Sequence, residues 1–204
     1  MTINQLHDIA LKQFALRGYE GATLETIARE VGIKKQSIYG HFKNKEQFFL
    51  HVFKSSVNTE IEFLDQLFQA QAELALEDML LHLIRQYKDR YADIPTLRLI
   101  MYAGFIFPPQ LEKPIGSMIA AYISHKRTAV YHLFSRPDHP AMRVDARQAT
   151  EAYMNLLEGM LVELIYGGTS RFDGRLEASW DIFWYGIQIQ AVQPSRHAER
   201  KQVD

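Results

Sequence analysis

The chain has 204 residues, 47% of them hydrophobic, and a formal net charge of −1 at pH 7, which allows a substantial core in one domain or two small ones. The absence of cysteine excludes disulfides, thiol catalysis and cysteine-ligated zinc, and is compatible with a reducing compartment. The longest apolar run, Leu99–Phe107, has nine residues, far short of the roughly 20 that span a bilayer, so we expect a soluble cytoplasmic protein without a membrane partner.

The first two helices are predicted within the basic N-terminal part, where residues 1–45 carry a net charge of +3 and the rest of the chain carries −4. Residues 1–14 are amphipathic and lack the continuous apolar run of a signal peptide. A second helix is predicted over Leu24–Val31, because its apolar residues recur at spacings of three and four. Thr23 can cap its start, and Gly32 can take the left-handed conformation that ends a helix.

A third helix is predicted to begin near Lys35, with Ile38 and Phe42 directed to the core. The side chains left on its surface suit nucleic acid. Lysine neutralises phosphate, serine and tyrosine hydroxyls bond phosphate oxygens, and glutamine can pair with adenine in the major groove. These outward residues are Lys35, Gln36, Ser37, Tyr39 and His41. Two short helices joined at a glycine, with such a face, indicate a helix-turn-helix.

A fourth helix is predicted from Lys45 to about Phe68, because Asn44 and Gln47 have the spacing of a capping box. Lys45 then lies in the first turn, where a cation costs roughly 0.3–1 kcal/mol beside the positive end of the helix dipole. A DNA phosphate bound at the same place would reverse that sign.

The segment Phe14–Phe49 resembles the N-terminal DNA-binding domain of the TetR/AcrR family of transcriptional regulators. The resemblance rests on twelve residues in the family's order and spacing, namely Phe14, Arg17, Gly18, Tyr19, Thr23, Ile27, Ala28, Gly32, Ile38, Tyr39, Phe42 and Lys45. It implies an all-α protein with a three-helix DNA-binding domain and a helical ligand-binding and dimerisation domain.

The resemblance also assigns roles to the DNA-binding residues. Thr23 and Lys45 would contact phosphate from the ends of the second and fourth helices. Lys35 and Gln36 are the candidates for base edges, although Lys35 could equally reach the backbone. Ser37, Tyr39 and His41 would contact phosphate from the third helix. Two residues depart from the family pattern: Lys34 replaces a common capping serine and adds a charge near DNA, and Gly40 replaces a larger residue.

The remaining chain has helical periodicity interrupted by proline and glycine, and about nine helices are predicted in all. We expect domains at 1–48 and 49–193 and a flexible tail at 194–204. The later helices are predicted over about Ala75–Tyr91, Pro95–Phe107, Pro114–Phe134, Asp145 to Gly167-Gly168, and Leu176–Val192.

The last two helices are apolar around most of their circumference, which favours a homodimer over two central core helices. The predicted interface residues are Tyr153, Leu157, Met160, Leu161, Leu164, Phe183, Trp184 and Ile187. A two-fold dimer with reading helices ~34–36 Å apart would bind a pseudo-palindromic operator in double-stranded DNA.

The middle helices are rich in methionine and aromatic residues, a pattern that is more typical of ordinary core than of a ligand cavity. Resemblance to the family, whose members commonly bind small molecules in this domain, favours the cavity and implies a largely apolar effector that releases DNA. The candidate ligand-binding residues are Met101, Tyr102, Phe105, Met118, Tyr122, Met154 and Trp180.

No catalytic motif supports an enzyme: the chain has no glycine-rich phosphate loop, no HExxH and no GxSxG. His125 and His132 are seven apart and could share a metal, but solvated histidines are the simpler interpretation, so we expect no metal and no cofactor. A repressor is the preferred function because most members of the family repress. An activator of the same fold and a helical protein-binding module remain as alternatives.

Overall fold

The computed structural model describes residues 3–103, 109–137 and 140–189, and these residues form helices throughout, without a named strand. The N-terminal helices are α1 (Ile3–Gly21), α2 (Leu24–Val31), α3 (Lys35–Tyr39) and α4 (Lys45–Ala70). The others are α5 (Leu76–Asp93), α6 (Pro95–Ala103), α7 (Glu112–Phe134), α8 (Ala146–Tyr166) and α9 (Gly168–Ile187), with a 3₁₀ turn at Pro109–Leu111.

Local capping signals define several of these boundaries. The Thr23 hydroxyl accepts a hydrogen bond from the Thr26 amide, and Gly32 ends α2 with a φ of 80°. Asp145 and Gln148 form a reciprocal capping box at the start of α8. The bounds of α2 and the start of α8 are therefore confirmed as the sequence predicts them, because the signals lie within a few residues of each end.

Three predicted boundaries need correction. The seventh helix begins at Glu112, so Pro114 lies inside its first turn, where a missing amide costs nothing. The ninth begins at Gly168 rather than Leu176, because Gly168 (φ 65°) turns the chain sharply and helix resumes at once. It ends at Ile187 rather than Val192, because Gln188 forms an antiparallel bridge with Met142. The sixth helix is described to Ala103, and the rest of its predicted span lies outside the described residues, as does the predicted tail.

The core is continuous from the N-terminal helices to the C-terminal ones. Phe14, Phe48 and Phe49 are almost fully buried, and the rings of Phe14 and Phe49 meet edge-on, 4.9 Å apart between centroids. Tyr87 and Tyr153 are buried farther along the same core. The helix-turn-helix therefore rests on α1 and α4, and α4 extends beneath the C-terminal helices.

Gly18 interrupts α1 in a conformation that only glycine adopts readily, with φ 66° and ψ −178°. A β-carbon at this position would also lie 2.6 Å from Cε1 of Tyr102 on α6. Glycine is thus required both for the bend in α1 and for the close approach of α6.

The Gly18→Ala substitution is expected to lower the free energy of unfolding by about 1–3 kcal/mol, the cost of placing a β-carbon in this backbone region. Urea denaturation followed by circular dichroism measures it. Gly116→Ala is the matched control, since Gly116 lies within α7 with open space around it, and should stabilise the chain by about 0.5–1 kcal/mol. Equal effects at the two positions would show that Gly18 is not strained.

Candidate functional site

The exposed face of the helix-turn-helix brings together residues from three helices. Ile38 anchors α3 with a fully buried side chain. Gln36, Ser37 and Tyr39 are exposed on the opposite side of that helix. The two short helices are joined by Gly32, so the outward face of α3 is held at a fixed angle to α2.

A shallow depression of about 220 Å³ in this face is lined by residues of α2, α3 and α4 and by the cap of α2. Lys35 and Lys45 contribute two ammonium groups, and Thr23 and Tyr39 contribute two hydroxyls. One acidic residue, Glu25, shares the lining. This combination of cations and hydroxyl donors is suited to phosphate oxygens.

Lys45 is held in place by its surroundings. Its Nζ lies 4.3 Å from the centroid of the Tyr19 ring. Partial burial lowers the pKa of Lys45, and the nearby Glu20 carboxylate opposes that change. Asn44 Oδ1 accepts the Gln47 amide at 2.8 Å, while Gln47 Oε1 accepts the amide of Lys43, so the cap differs from a strict capping box by one residue.

The remaining predicted DNA-binding residues are also at the surface, on α3 or next to it. Lys34 precedes α3 and makes no side-chain cap, in agreement with the loss of the usual serine. His41 is exposed but lies beyond the end of α3 at Tyr39, so it is part of the turn and not of the helix. Gly40, which ends the helix, leaves that position without a side chain.

A second feature is an apolar cavity of about 240 Å³ between α6, α7 and α8. Met101 and Tyr122, two of the predicted ligand-binding residues, line it. Lys126 and Glu158 supply its charged groups. The apolar lining is completed by Leu97, Ile100, Ile119, Ile123, Leu161, Val162 and Ile165.

The other predicted ligand-binding residues do not line this cavity. Met154 and Trp180 are buried core residues, and Trp180 Nε1 donates to Glu77 Oε1 at 3.2 Å. Tyr102 packs on Gly18, Met118 is half-buried outside the lining, and Phe105 lies outside the described residues. The spacing of methionine and aromatic residues does not distinguish core residues from residues of a cavity wall. The sequence therefore predicts all of these residues, together with Met101, as ligand-binding.

Lys126 was missed by the sequence analysis, although a signal exists. It occupies an apolar stripe of α7 with the helical spacing of a core face, formed by Ile115, Ile119, Tyr122, Val130 and Leu133. A lysine in such a stripe indicates a buried cation. Burial lowers its pKa from 10.5 to about 8, while the Glu158 carboxylate acts in the opposite direction.

The N-terminal segment matches a family model. Residues 6–52 fit the model described as bacterial regulatory proteins of the tetR family. The chain is 38% identical over 61 residues to the icaADBC negative transcriptional regulator IcaR of Staphylococcus epidermidis, a match that covers 30% of this chain and 33% of IcaR. By the family-model match, residues 6–52 are an N-terminal domain of the tetR family of bacterial regulatory proteins.

Two further comparisons extend beyond the TetR DNA-binding domain. The fatty acid metabolism regulator protein of Bacillus subtilis is 23% identical over 164 residues, 80% of this chain and 68% of that protein. The crystal structure of the regulator FadR from Bacillus subtilis with stearoyl-CoA superposes with a TM-score of 0.66 at 16% identity, covering 92% of this chain and 100% of that one. The FadR structure shares the fold of this chain, and all three of these proteins are named as regulators.

Most of the predicted dimer residues are buried within the single protomer. Leu161 and Phe183 are only partly buried, whereas Tyr153, Leu157, Met160, Leu164, Trp184 and Ile187 belong to the core. This corrects the prediction: α8 packs on α5 and α7, and α9 packs on α5 and α8, so the faces that carry these buried residues are already covered within the protomer. The exposed large apolar residues of this region are Val162, which also lines the cavity, Tyr166 on α8, Ile182 and Tyr185 on α9, and Ile189 just after α9.

The sequence predicts neither a metal site nor a membrane-spanning helix. Among the residues described, no group of three or more histidine, aspartate or glutamate side chains could hold a metal ion. His125 instead contacts Asp65 at 2.8 Å. None of the described helices is long and apolar enough to cross a membrane.

A buried ionic network joins α6, which lines the cavity, to α4, which carries Lys45 in its first turn. Glu60 of α4 is fully buried, and its carboxylate accepts hydrogen bonds from Arg90 of α5 at 2.6 and 3.1 Å. The same carboxylate accepts the Thr96 hydroxyl of α6 at 2.5 Å. Arg90 also lies over the Phe63 ring, 3.8 Å from its centroid. Because α4 begins at Lys45 and α6 lines the cavity, the network connects both sites.

Replacing Glu60 by alanine is expected to lower the free energy of unfolding by about 3 kcal/mol, since it strands the Arg90 guanidinium in a mostly buried position. Chemical denaturation provides the measurement. Glu62→Ala, at an exposed position on the same helix, should change stability by no more than about 0.5 kcal/mol. If both variants lose the same free energy of unfolding, the network stabilises the fold no more than a surface carboxylate does.

Proposed function

We propose that this TetR-family regulator is a repressor that binds a pseudo-palindromic operator as a homodimer and is released by a small-molecule effector. The observation that carries the proposal is the cluster of Thr23, Lys35, Tyr39 and Lys45 on the exposed face of the helix-turn-helix. Its cations and hydroxyls suit the DNA backbone, while Gln36 projects from α3, where it can meet base edges. IcaR, a named negative regulator, supports repression over activation.

The proposed dimer surface is the outward side of α8 and α9. On α8 it contains Gly159, Val162 and Tyr166, at spacings of three and four, and on α9 it contains Ile182 and Tyr185. Ile182 is 77% exposed and Tyr166 75%, which is unusual for large apolar side chains that have no partner. Pairing this surface about a two-fold axis would give a four-helix interface.

Effector release is proposed to act through α6. Its residues Leu97, Ile100 and Met101 line the cavity, Thr96 bonds to Glu60 of α4, and Tyr102 packs on Gly18 of α1. A ligand that displaces α6 would therefore disturb both helices that carry the DNA-binding face. The stearoyl-CoA complex of FadR supports a ligand in this domain. A tens-fold loss of operator affinity requires about 2 kcal/mol of coupling.

The experiment that tests the DNA-binding proposal is selection of bound sequences from a random duplex pool with purified protein, followed by titration of the enriched duplex at two salt concentrations. Enrichment of a two-fold symmetric site with steep salt dependence is expected. A folded dimer that enriches no sequence, with or without extraction of bound small molecules, would contradict the proposal.

Lys45→Ala is expected to weaken binding to every duplex and to reduce the slope of log affinity against log salt by about 1 per protomer, because one phosphate contact is lost.

Gln36→Ala should instead relax preference at particular base pairs, by about 1–3 kcal/mol. Fluorescence anisotropy on a panel of single-site operator variants separates the two. A uniform loss for Gln36→Ala would assign that residue to the backbone.

Ile182→Glu is expected to convert the dimer to a monomer, because it places a charge at the centre of the proposed surface. Operator affinity should fall about a hundredfold or more as the two half-sites lose their linkage. Light scattering gives the mass, with Leu16→Glu as control, since Leu16 is 73% exposed on α1, away from this surface. A dimeric Ile182→Glu variant with normal affinity would exclude this face as the interface.

A further inference from the structure

The cavity between α6, α7 and α8 contains a cation where an apolar residue would be expected. Lys126 is only 2% exposed, yet it lines the cavity in the middle of an otherwise apolar stripe of α7. Its Nζ lies 5.0 Å from the centroid of the Tyr122 ring and 5.3 Å from that of Tyr87. The two tyrosine hydroxyls bond each other at 2.7 Å.

Within the residues described, Lys126 has neither a hydrogen bond nor an ion pair. Glu158 attracts it through space from α8, and Glu60 attracts it from α4, where that carboxylate is already bonded to Arg90 and Thr96. Burying an ammonium without a hydrogen-bonded anion is costly, and the two aromatic rings offset only part of that cost. A ligand carrying an anionic group would supply the missing partner.

We propose that Lys126 binds the carboxylate of an amphipathic effector whose apolar body fills the rest of the cavity. This deepens the proposed function and rests on its effector site. The apolar body would contact Ile119 and Ile123 of α7 and Leu161 of α8. A carboxylate at the buried end would form a charge-assisted hydrogen bond in surroundings that contain little water, which is where such bonds are strongest.

The cavity volume limits the size of this effector. Its volume of about 240 Å³ exceeds the roughly 150 Å³ that holds benzene, and it corresponds to ~10–15 non-hydrogen atoms. Medium-chain and aryl-alkyl monocarboxylates fall in this range. A coenzyme A thioester of the same acid has no charge at the acyl carbonyl, so it would leave Lys126 unpaired.

The test compares acids with their alcohols on the purified full chain without DNA, by isothermal titration calorimetry. The probes are decanoate against 1-decanol, and 4-phenylbutyrate against 4-phenylbutanol, with decanoyl-CoA as a third class. Wild type should prefer the acid in at least one pair by about tenfold to a hundredfold, the contribution of a hydrogen bond to a charged group. Lys126→Met should retain alcohol binding and lose this preference.

Lys113→Met is the matched control, because Lys113 is an exposed lysine on the same helix, and it should behave as wild type. Equal affinities for acid and alcohol in wild type, a preference that survives in Lys126→Met, or tighter binding of decanoyl-CoA than of decanoate would each overturn the proposal. So would failure of all five probes to bind folded protein. Since no DNA is present, loss of the regulator function would leave a positive result intact.

The pH dependence gives a second readout that a purely structural lysine would not produce. With a pKa of about 8, Lys126 is protonated below pH 8 and neutral well above it. Its charged surroundings are Glu60 on α4, Arg127 on α7 and Glu158 on α8, with the buried hydroxyls of Tyr87 and Tyr122, whose pKa values burial raises. Decanoate affinity should fall about tenfold from pH 7 to pH 9 in wild type. A flat profile would count against the ion pair.

Discussion

The buried carboxylate of Glu60 is the interaction on which the arrangement of the helices depends. A fully buried charge must be paired and hydrogen-bonded, and Glu60 meets that requirement only when Arg90 of α5 and Thr96 of α6 are both in place. The carboxylate therefore positions α6 against α4, and α4 in turn carries Lys45 at its first turn.

Gly18 provides the second connection between the two ends of the molecule. The bend in α1 lets the aromatic ring of Tyr102 approach the backbone of Gly18. The residue before Tyr102 in the sequence, Met101, lines the cavity. The short helix α6 thus bonds to α4 through Thr96, lines the cavity with Met101 and contacts α1 through Tyr102. Packed interiors shift between discrete arrangements rather than deforming gradually, so these contacts support the proposed release of DNA through displacement of α6.

Local features of the fold could be predicted from the sequence, whereas features set by three-dimensional packing could not. Thr23, Gly32 and Asp145 act within one helical turn, so their effects are legible in the sequence. The true start of α9 at Gly168 was not, because a glycine pair indicates a helix end equally well whether a loop or a new helix follows. Apolar residues around most of α8 likewise did not reveal which side is covered by α5 and α7 and which is exposed.

The two candidate sites likewise differ in how much of each could be predicted from the sequence. The proposed DNA-binding face lies in one short segment, so helical spacing could predict which of its side chains face outward. The structure leaves these side chains exposed, except for Lys35 and Lys45, which are partly buried. The cavity is assembled from three helices distant in sequence, and only Met101 and Tyr122 were named correctly as lining residues. Lys126 is the lining residue that the sequence prediction missed. A lysine within an apolar stripe predicts a buried cation, and burying a charged group costs free energy. Burial of the Lys126 ammonium costs free energy that the rings of Tyr87 and Tyr122 offset only in part, and the anionic group of the proposed effector would recover the remainder.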